Sequence, residues 1–167
     1  MHDDPTPTPA RAARLRTCVR ALATAALLAG TPPLALADDH GKELPAGPIR
    51  DRHELMEGVG ADAKAIGAAT KAGKPADAVK PAQEIAAALE KFPTLFPEGS
   101  QSPLSRARPE VWSNKKKFDE LAADARAKAL ALAEAAKSGG DLKAASGALF
   151  KNCKACHDDF RVPEEGE

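Results

Sequence analysis

The sequence predicts an all-α protein, an antiparallel up-down four-helix bundle. Composition is the first reason, because the chain has no tyrosine, few β-branched residues and abundant alanine, which favours helix. The second is that apolar residues recur at three- and four-residue steps in four stretches, while no stretch has a convincing strand pattern. The third is that the first and third stretches are each followed by a short break, as between antiparallel neighbours.

The first predicted helix spans about 49–72 and follows Pro48, which suits a first helical turn. Three glycines weaken this helix, each by up to about 1 kcal/mol relative to alanine. Glycines also allow a flat ligand or a partner helix to approach closely. The positions that recur at helical spacing are Ile49, Arg52, Met56, Val59, Ala63 and Ile66.

A break at Gly73-Lys74-Pro75 precedes the second predicted helix, about 76–91. Pro81 is expected to kink this helix or to mark its true start, because proline removes a backbone donor. A long connection over 92–113 follows, rich in proline and serine and with aromatic side chains to pack. A connection of this length in a small bundle is usually functional or well packed.

The third predicted helix spans about 114–137, with Ser113 as its N-cap and Gly139-Gly140 as its stop. Its apolar face carries Phe118, Leu121, Ala125, Ala129, Leu132 and Ala136. The fourth, about 141–161, begins at a cap from Asp141. Its apolar face carries Leu142, Ala145, Leu149, Cys153, Cys156 and Phe160. Two cysteines therefore lie on the core-facing side of the last helix.

These cysteines belong to the run Cys153-Lys154-Ala155-Cys156-His157, and C-x-x-C-H is the attachment signature of a c-type haem. Each thiol can add to a haem vinyl group, and the histidine can bind the iron. Helical spacing places Cys153 and His157 one turn apart on one face. A zinc site would need a second pair of ligands, and a redox dithiol is typical of a βαβ pattern that this chain lacks. The motif therefore predicts one covalently attached haem c inside the bundle.

Residues 1–37 have the pattern of a secretory signal peptide. Four arginines over 11–20 precede an apolar stretch over 21–30, and Ala35-Leu36-Ala37 forms a small-x-small cleavage site. A disordered tail and a membrane anchor are the alternatives, but the apolar stretch is too short to span a bilayer. Export predicts a periplasmic location, where bacteria complete the attachment of haem to cysteines.

Cleavage after Ala37 would leave a flexible leader over 38–47, one domain over 48–162 and a tail over 163–167. The remaining chain would carry 20 basic and 22 acidic residues, a formal charge of −2. This balance argues against nucleic acid as a partner, because nucleic acid calls for a basic face. No later stretch is long and apolar enough for a membrane span.

The C-terminal run Cys153–Arg161 resembles that of the class II c-type cytochromes, the cytochrome c′ family. Two further stretches are similar to this family: Leu95–Ser100 in the long connection, and Pro109–Ser113 just before the third helix. The resemblance covers about 48–162. It implies a four-helix bundle, of which this family is a standard example.

The resemblance also implies roles for individual residues. Cys153 and Cys156 would hold the haem, and His157 would be the proximal iron ligand. Arg161 matches a basic residue near the proximal face, and Arg52 matches an arginine that often lies near a haem propionate. For either arginine, an ordinary solvated charge is the alternative.

Met56 matches the position where low-spin members of the class have a methionine bound to iron. His/Met ligation would fill both axial sites and raise the reduction potential, which predicts a periplasmic electron carrier that serves redox partner proteins. If Met56 only fills the core, the iron is five-coordinate and would bind nitric oxide or carbon monoxide. His53 is a third candidate ligand at this face.

Enzymatic activity is not predicted. Peroxidase-like catalysis would need a distal acid–base group, for which the candidates are His53 and Arg52. Because the family often forms homodimers through its first two helices, the resemblance implies a homodimer as well.

Overall fold

The computed structural model describes residues 44–163, and these residues form a four-helix bundle. The helices are α1 (Pro48–Ala72), α2 (Ala76–Lys91), α3 (Glu110–Ser113), α4 (Lys115–Ser138) and α5 (Leu142–Phe160), with a 3-10 helix at Phe92–Leu95. Helix α1 packs on α2, α2 on α4, α4 on α5, and α5 on α1. The predicted all-α fold is confirmed, and the only bridge among these residues is an isolated antiparallel pair, Ala107 and Arg161.

The ends of the long helices follow the local signals in the sequence. Gly73 ends α1 and Gly139 ends α4, each in the left-handed conformation, with φ of 63° and 74°. Glycine adopts this conformation without the steric cost that a β-carbon imposes. Asp141 caps α5, because its Oδ1 accepts a hydrogen bond of 2.9 Å from the backbone N–H of Ala144. The two breaks and the last cap are therefore as predicted.

One local prediction was wrong. Ser113 does not cap α4, because it lies in the short helix α3 and its N–H donates to the carbonyl of Pro109. The N-cap of α4 is Asn114, which makes no side-chain capping bond. Of the two alternatives for Pro81, a helix start is excluded, because α2 begins at Ala76 and contains Pro81.

Buried apolar side chains form two groups. We call the first the aliphatic cluster; eight of its thirteen residues are alanine, and it consists of Ile66, Ala69, Ala78, Ala82, Ile85, Ala86, Leu89, Ala125, Ala129, Leu132, Ala133, Ala136 and Leu149. We call the second the aromatic cluster, which consists of Phe96, Val111, Phe118 and Phe160 with the half-buried Phe92, Leu95, Ala107, Trp112, Leu121 and Cys156 packed against them. The first joins long helices only, whereas the second joins α4 and α5 to the connection between α2 and α4.

The predicted signal peptide, most of the predicted leader and most of the predicted tail lie outside the described residues. One leader residue that is described, Leu44, is buried with 1 % of its surface exposed. Within residues 44–163, no helix is long and apolar enough to cross a membrane.

Candidate functional site

The C-x-x-C-H run lies in the last turns of α5, where it meets both clusters. Cys153 packs against the aliphatic cluster and Cys156 against the aromatic cluster, and both are half-buried and free of disulfides. Helical rotation brings the cysteines and His157 to neighbouring positions, as the spacing predicted. The three groups therefore lie where the two halves of the core meet.

Burial raises the pKa of the Cys153 thiol above its usual value. Burial, with repulsion from Cys153 and Asp159, raises the pKa of Cys156 to about 11. Both thiols therefore lose their protons at a higher pH than an exposed cysteine does. Within residues 44–163, no group of three or more histidine, cysteine or carboxylate side chains is placed to hold a metal ion. The zinc alternative thus has no support in the described structure.

The motif borders a partly open cavity of about 530 Å³ between α1, α4, α5 and the connection that follows α2. Cys153, Cys156 and His157 line it together with Met56, Arg52 and Arg161, so the structure brings all six predicted site residues to one cavity. Most other lining side chains are apolar, among them Ile49, Val59, Ala63, Leu89, Phe92, Phe96, Leu104, Leu121, Phe150 and Phe160. This volume is within the range of about 300–1,000 Å³ that small-molecule and cofactor sites occupy.

Helix α1 contributes one wall of the cavity. Met56 is half-buried there and packs against the aliphatic cluster. Gly60 lies on the same wall, and a β-carbon added to it would meet no atom within 4 Å, so a flat ligand can approach the backbone. His53 also lines the cavity, with 29 % of its side chain exposed and its Nε2 3.6 Å from Oε1 of Glu57.

Arg52 is buried, with 4 % of its surface exposed. Its Nη2 donates to the backbone oxygen of Ser100 at 3.0 Å, and its Nη1 donates to Oγ of the same residue at 3.3 Å. The guanidinium carbon lies 4.9 Å from the ring centre of Phe96 and 5.7 Å from that of Trp112. The alternative of a solvated charge is therefore excluded for Arg52. Burial lowers the pKa of this guanidinium.

His157 and Arg161 line a second depression as well, of about 600 Å³, on the outside of α5. Arg108, Lys154 and Asp158 also contribute to it. The backbone N–H of Arg161 donates to the carbonyl of His157 at 3.0 Å, which ends α5. His157 thus lies between the cavity and a polar surface rich in cationic side chains.

The chain beyond the end of α5 is tied to the long connection. The N–H of Arg108 donates to Phe160 at 2.9 Å, and the N–H of Val162 donates to Arg106 at 2.8 Å. This pairing anchors the helix that carries the motif to a segment that lines the cavity. The sequence indicated a well-packed connection but did not identify this partner.

Sequence reasoning missed two buried residues of the cavity wall, Leu44 and Asn152. Asn152 donates from Nδ2 to Oδ2 of Asp124 at 2.7 Å, while its Oδ1 is buried without a hydrogen-bond partner. Its only local signal was its position next to Cys153. Leu44 carried a weaker signal, a single large apolar residue in a polar and glycine-containing segment.

These residues fit a haem. Two thiols one turn apart and a histidine border an apolar cavity, which provides the covalent links, an iron ligand and a wall for the porphyrin. Nε of Arg52 is buried without a partner at the cavity wall, which leaves a cationic donor for an anionic substituent of the ligand. The donor set therefore agrees with the chemistry of a covalently bound haem.

Comparisons with known proteins agree with this site. The family model described as Cytochrome C′ matches residues 47–161. A cytochrome c′ of Pararhodospirillum photometricum is 38 % identical over 121 residues, which cover 68 % of this chain and 94 % of that protein. The solved cytochrome c′ of Rhodopseudomonas palustris is 33 % identical, with a TM-score of 0.63 over 72 % of this chain and 100 % of its own.

A further solved cytochrome c′, described as having an unusual ligand-controlled dimer dissociation, is 26 % identical. It superposes with a TM-score of 0.64 over 70 % of this chain and 95 % of its own. The match of the family model spans more than half of the sequence and includes every element of the bundle. The chain therefore belongs to the cytochrome c′ family, and its cofactor is one covalently attached haem c.

Proposed function

We propose that this protein binds a small neutral gas, nitric oxide or carbon monoxide, at a five-coordinate haem. Cys153 and Cys156 would form the two thioether links and His157 would be the proximal ligand. The observation that carries the proposal is the packing of Met56 against the aliphatic cluster, which is how a methionine that fills the core behaves. The haem, when bound, supplies an iron with one open axial position.

The cavity walls would select the kind of ligand. Their side chains are mostly apolar, and moving a charged or strongly polar ligand into such surroundings without partners is costly. A neutral diatomic molecule pays almost none of that cost. The aromatic cluster and α1 also limit the space beside the ligand, so small molecules are favoured over larger ones.

The electron-carrier hypothesis remains the second candidate, and one observation favours it. Met56 lines the same cavity as His157, and it would be the only thioether left after removal of the signal peptide. Binding of Met56 to the iron would make the protein a low-spin carrier for redox partner proteins. Membership of the cytochrome c′ family does not by itself require a methionine ligand, and the packing of Met56 favours the gas-binding proposal.

The optical spectrum of the haem-loaded protein separates the two candidates. Gas binding predicts a high-spin spectrum that shifts when carbon monoxide is added, and no thioether-to-iron band in the ferric form. Met56→Ala should then leave the ferric spectrum nearly unchanged. Val59→Ala is the matched control, because Val59 lines the cavity from the same helix and carries no sulfur. A thioether band that disappears only in Met56→Ala would establish the electron carrier instead.

Assembly and location belong to the same proposal. The relative with ligand-controlled dimer dissociation supports a homodimer, and we place its interface on α1 and α2. Sedimentation of the haem-loaded protein with and without carbon monoxide tests whether gas binding changes the dimer. The signal-peptide pattern supports export to the periplasm, which N-terminal sequencing of the secreted protein tests, with Asp38 expected as the first residue.

A further inference from the structure

Leu44 is buried more completely than its position before the first helix would suggest. Only 1 % of its surface is exposed, yet it belongs to neither the aliphatic nor the aromatic cluster. It lines the cavity, close in the chain to Ile49, Arg52 and His53, which line it too. Leu44 is therefore a residue of the cavity wall that belongs to neither part of the protein core.

The backbone of Leu44 is held by a side chain of α1. Nε of Arg50 donates to the carbonyl oxygen of Leu44 at 3.0 Å, and Nη2 of the same guanidinium donates to the same oxygen. Two donors on one acceptor fix both the position and the direction of this carbonyl. Arg50 is half-buried, so this clamp is partly shielded from water.

We propose that Leu44 is a size-determining residue of the ligand cavity, and that Arg50 is the positioning residue that holds Leu44 in place. The inference rests on the proposed gas binding, because it assigns Leu44 control over which ligands reach the cavity. The side chain of Leu44 would limit the space at the N-terminal end of α1, so that diatomic molecules fit and bulkier ligands are hindered. Arg50 does not touch the ligand and acts only through the clamp on the Leu44 carbonyl.

The physical argument is one of volume. Arg50, which holds the Leu44 carbonyl, does not line the cavity, and Leu44 belongs to neither cluster. Removal of the side-chain carbons of Leu44 would therefore enlarge the cavity at this wall without removing a member of either cluster. One or two methylene groups in an apolar site change discrimination between ligands roughly tenfold or more. A purely structural leucine would lower stability when shortened, but it would not change the ratio of rates for two ligands of different size.

The experiment measures association of carbon monoxide and of tert-butyl isocyanide with the reduced, haem-loaded protein after flash photolysis. In Leu44→Val and Leu44→Ala, the rate for the isocyanide should rise relative to that for carbon monoxide, by roughly tenfold in the alanine variant. Arg50→Gln should change the ratio in the same direction by less, and Arg50→Lys, which restores one donor, should partly reverse it. Leu130→Ala is the control, because Leu130 is 41 % exposed and lies outside the cavity wall.

The same series in a Met56→Ala background keeps this inference separate from the proposed function. If the parent protein does not bind carbon monoxide but the Met56→Ala protein does, the five-coordinate proposal is wrong, and the ratio in that background still decides the role of Leu44. An unchanged ratio in Leu44→Val and Leu44→Ala, in whichever background binds the gas, would overturn the inference. Because the haem is covalent, a partly destabilised variant keeps its cofactor. The Arg50 variants keep the leucine side chain and change only what holds it.

Discussion

The aliphatic and aromatic clusters form the two halves of the core, and they are built in different ways. The aliphatic cluster uses small residues at regular spacing on long helices, and eight of its thirteen members are alanine. The aromatic cluster uses large rings, several of them from the irregular chain between α2 and α4. The regular spacing of residues on helices is enough to form the aliphatic cluster, whereas the aromatic cluster depends on contacts between residues far apart in the chain. The C-x-x-C-H run lies between the two clusters. A haem attached there would join a half of the core that is determined by local sequence pattern to a half that is determined by tertiary contacts.

Removal of the haem should have the largest effect, because it tests whether the two halves hold together without the cofactor. The cavity of about 530 Å³ is partly open and lined mostly by apolar side chains, which would face water without the haem. The stability of a domain is only about 5–15 kcal/mol, so the loss of this apolar burial is large by comparison. The Cys153→Ser/Cys156→Ser protein, purified without haem, should therefore lose helicity and show no cooperative melt by circular dichroism. Native helicity with a sharp melt would contradict this.

The sequence predicted the aliphatic half well because the information is local. Ala125, Ala129 and Leu132 recur at helical spacing, and Gly73 and Gly139 carry their own stop signals. Each of these features can be recognised within one or two helical turns. The four long helices were consequently placed within a residue or two of their observed ends.

The aromatic half could be predicted only in outline. The bonds from Arg52 to Ser100 and from Trp112 Nε1 to the Pro97 carbonyl, at 3.0 Å, join residues 15 to 48 positions apart. No periodic pattern encodes such pairs, and Ser113 was mistaken for a cap because the helix that contains it depends on this packing. The C-x-x-C-H run was an exception, since covalent attachment chemistry fixes its spacing. The wall residues Leu44 and Asn152 had no comparable signal.

The next prediction compares one large residue from each half. Phe118 lies at the centre of the aromatic cluster, with its ring 4.9 Å from that of Phe96 and 5.2 Å from that of Phe160, centre to centre. Phe118→Ala should lower the free energy of unfolding by about 3–5 kcal/mol and should also shift the optical spectrum, since Phe118 lines the haem cavity. Denaturant unfolding and absorbance spectra of the haem-loaded protein check both effects.

Leu132→Ala is the matched variant in the aliphatic cluster. Leu132 is fully buried but does not line the cavity, so a loss of about 2–5 kcal/mol without a spectral shift is expected. Equal spectral shifts in the two variants would show that the two clusters are not separate units with respect to the haem.

A smaller effect is expected from replacing Arg52, the buried cation that contacts the aromatic cluster. Arg52→Met keeps an apolar stem but removes the hydrogen bonds to Ser100 and the cation–π contacts with Phe96 and Trp112. A desolvated cation–π contact contributes about 2 kcal/mol. Its loss is partly offset, because the variant no longer bears the desolvation cost of a buried guanidinium. A loss of about 1–2 kcal/mol in the free energy of unfolding is therefore expected. A gain in stability would mean that desolvation of the guanidinium outweighs its contacts.

The smallest effect is expected at the surface of the bundle, where α1 faces α2. Burial raises the pKa of Asp62 above its usual 3.8, and the charge of Glu84 and a hydrogen bond with it raise it further, while Lys80 opposes them. The folded state thus holds this proton more tightly than the unfolded state does. The associated stability is present below pH 3.8 and is lost as the pH rises through the folded-state pKa.

Asp62→Asn, which removes this repulsion, should therefore raise the free energy of unfolding at neutral pH and have less effect at low pH. Denaturant titrations of the haem-loaded protein at both values measure the difference, with the exposed Glu54→Gln on the same helix as the control. Equal effects of Asp62→Asn at both pH values would mean that its carboxyl group does not titrate differently in the folded and unfolded states. In that case the stability of the interface between α1 and α2 would not depend on the ionisation of Asp62.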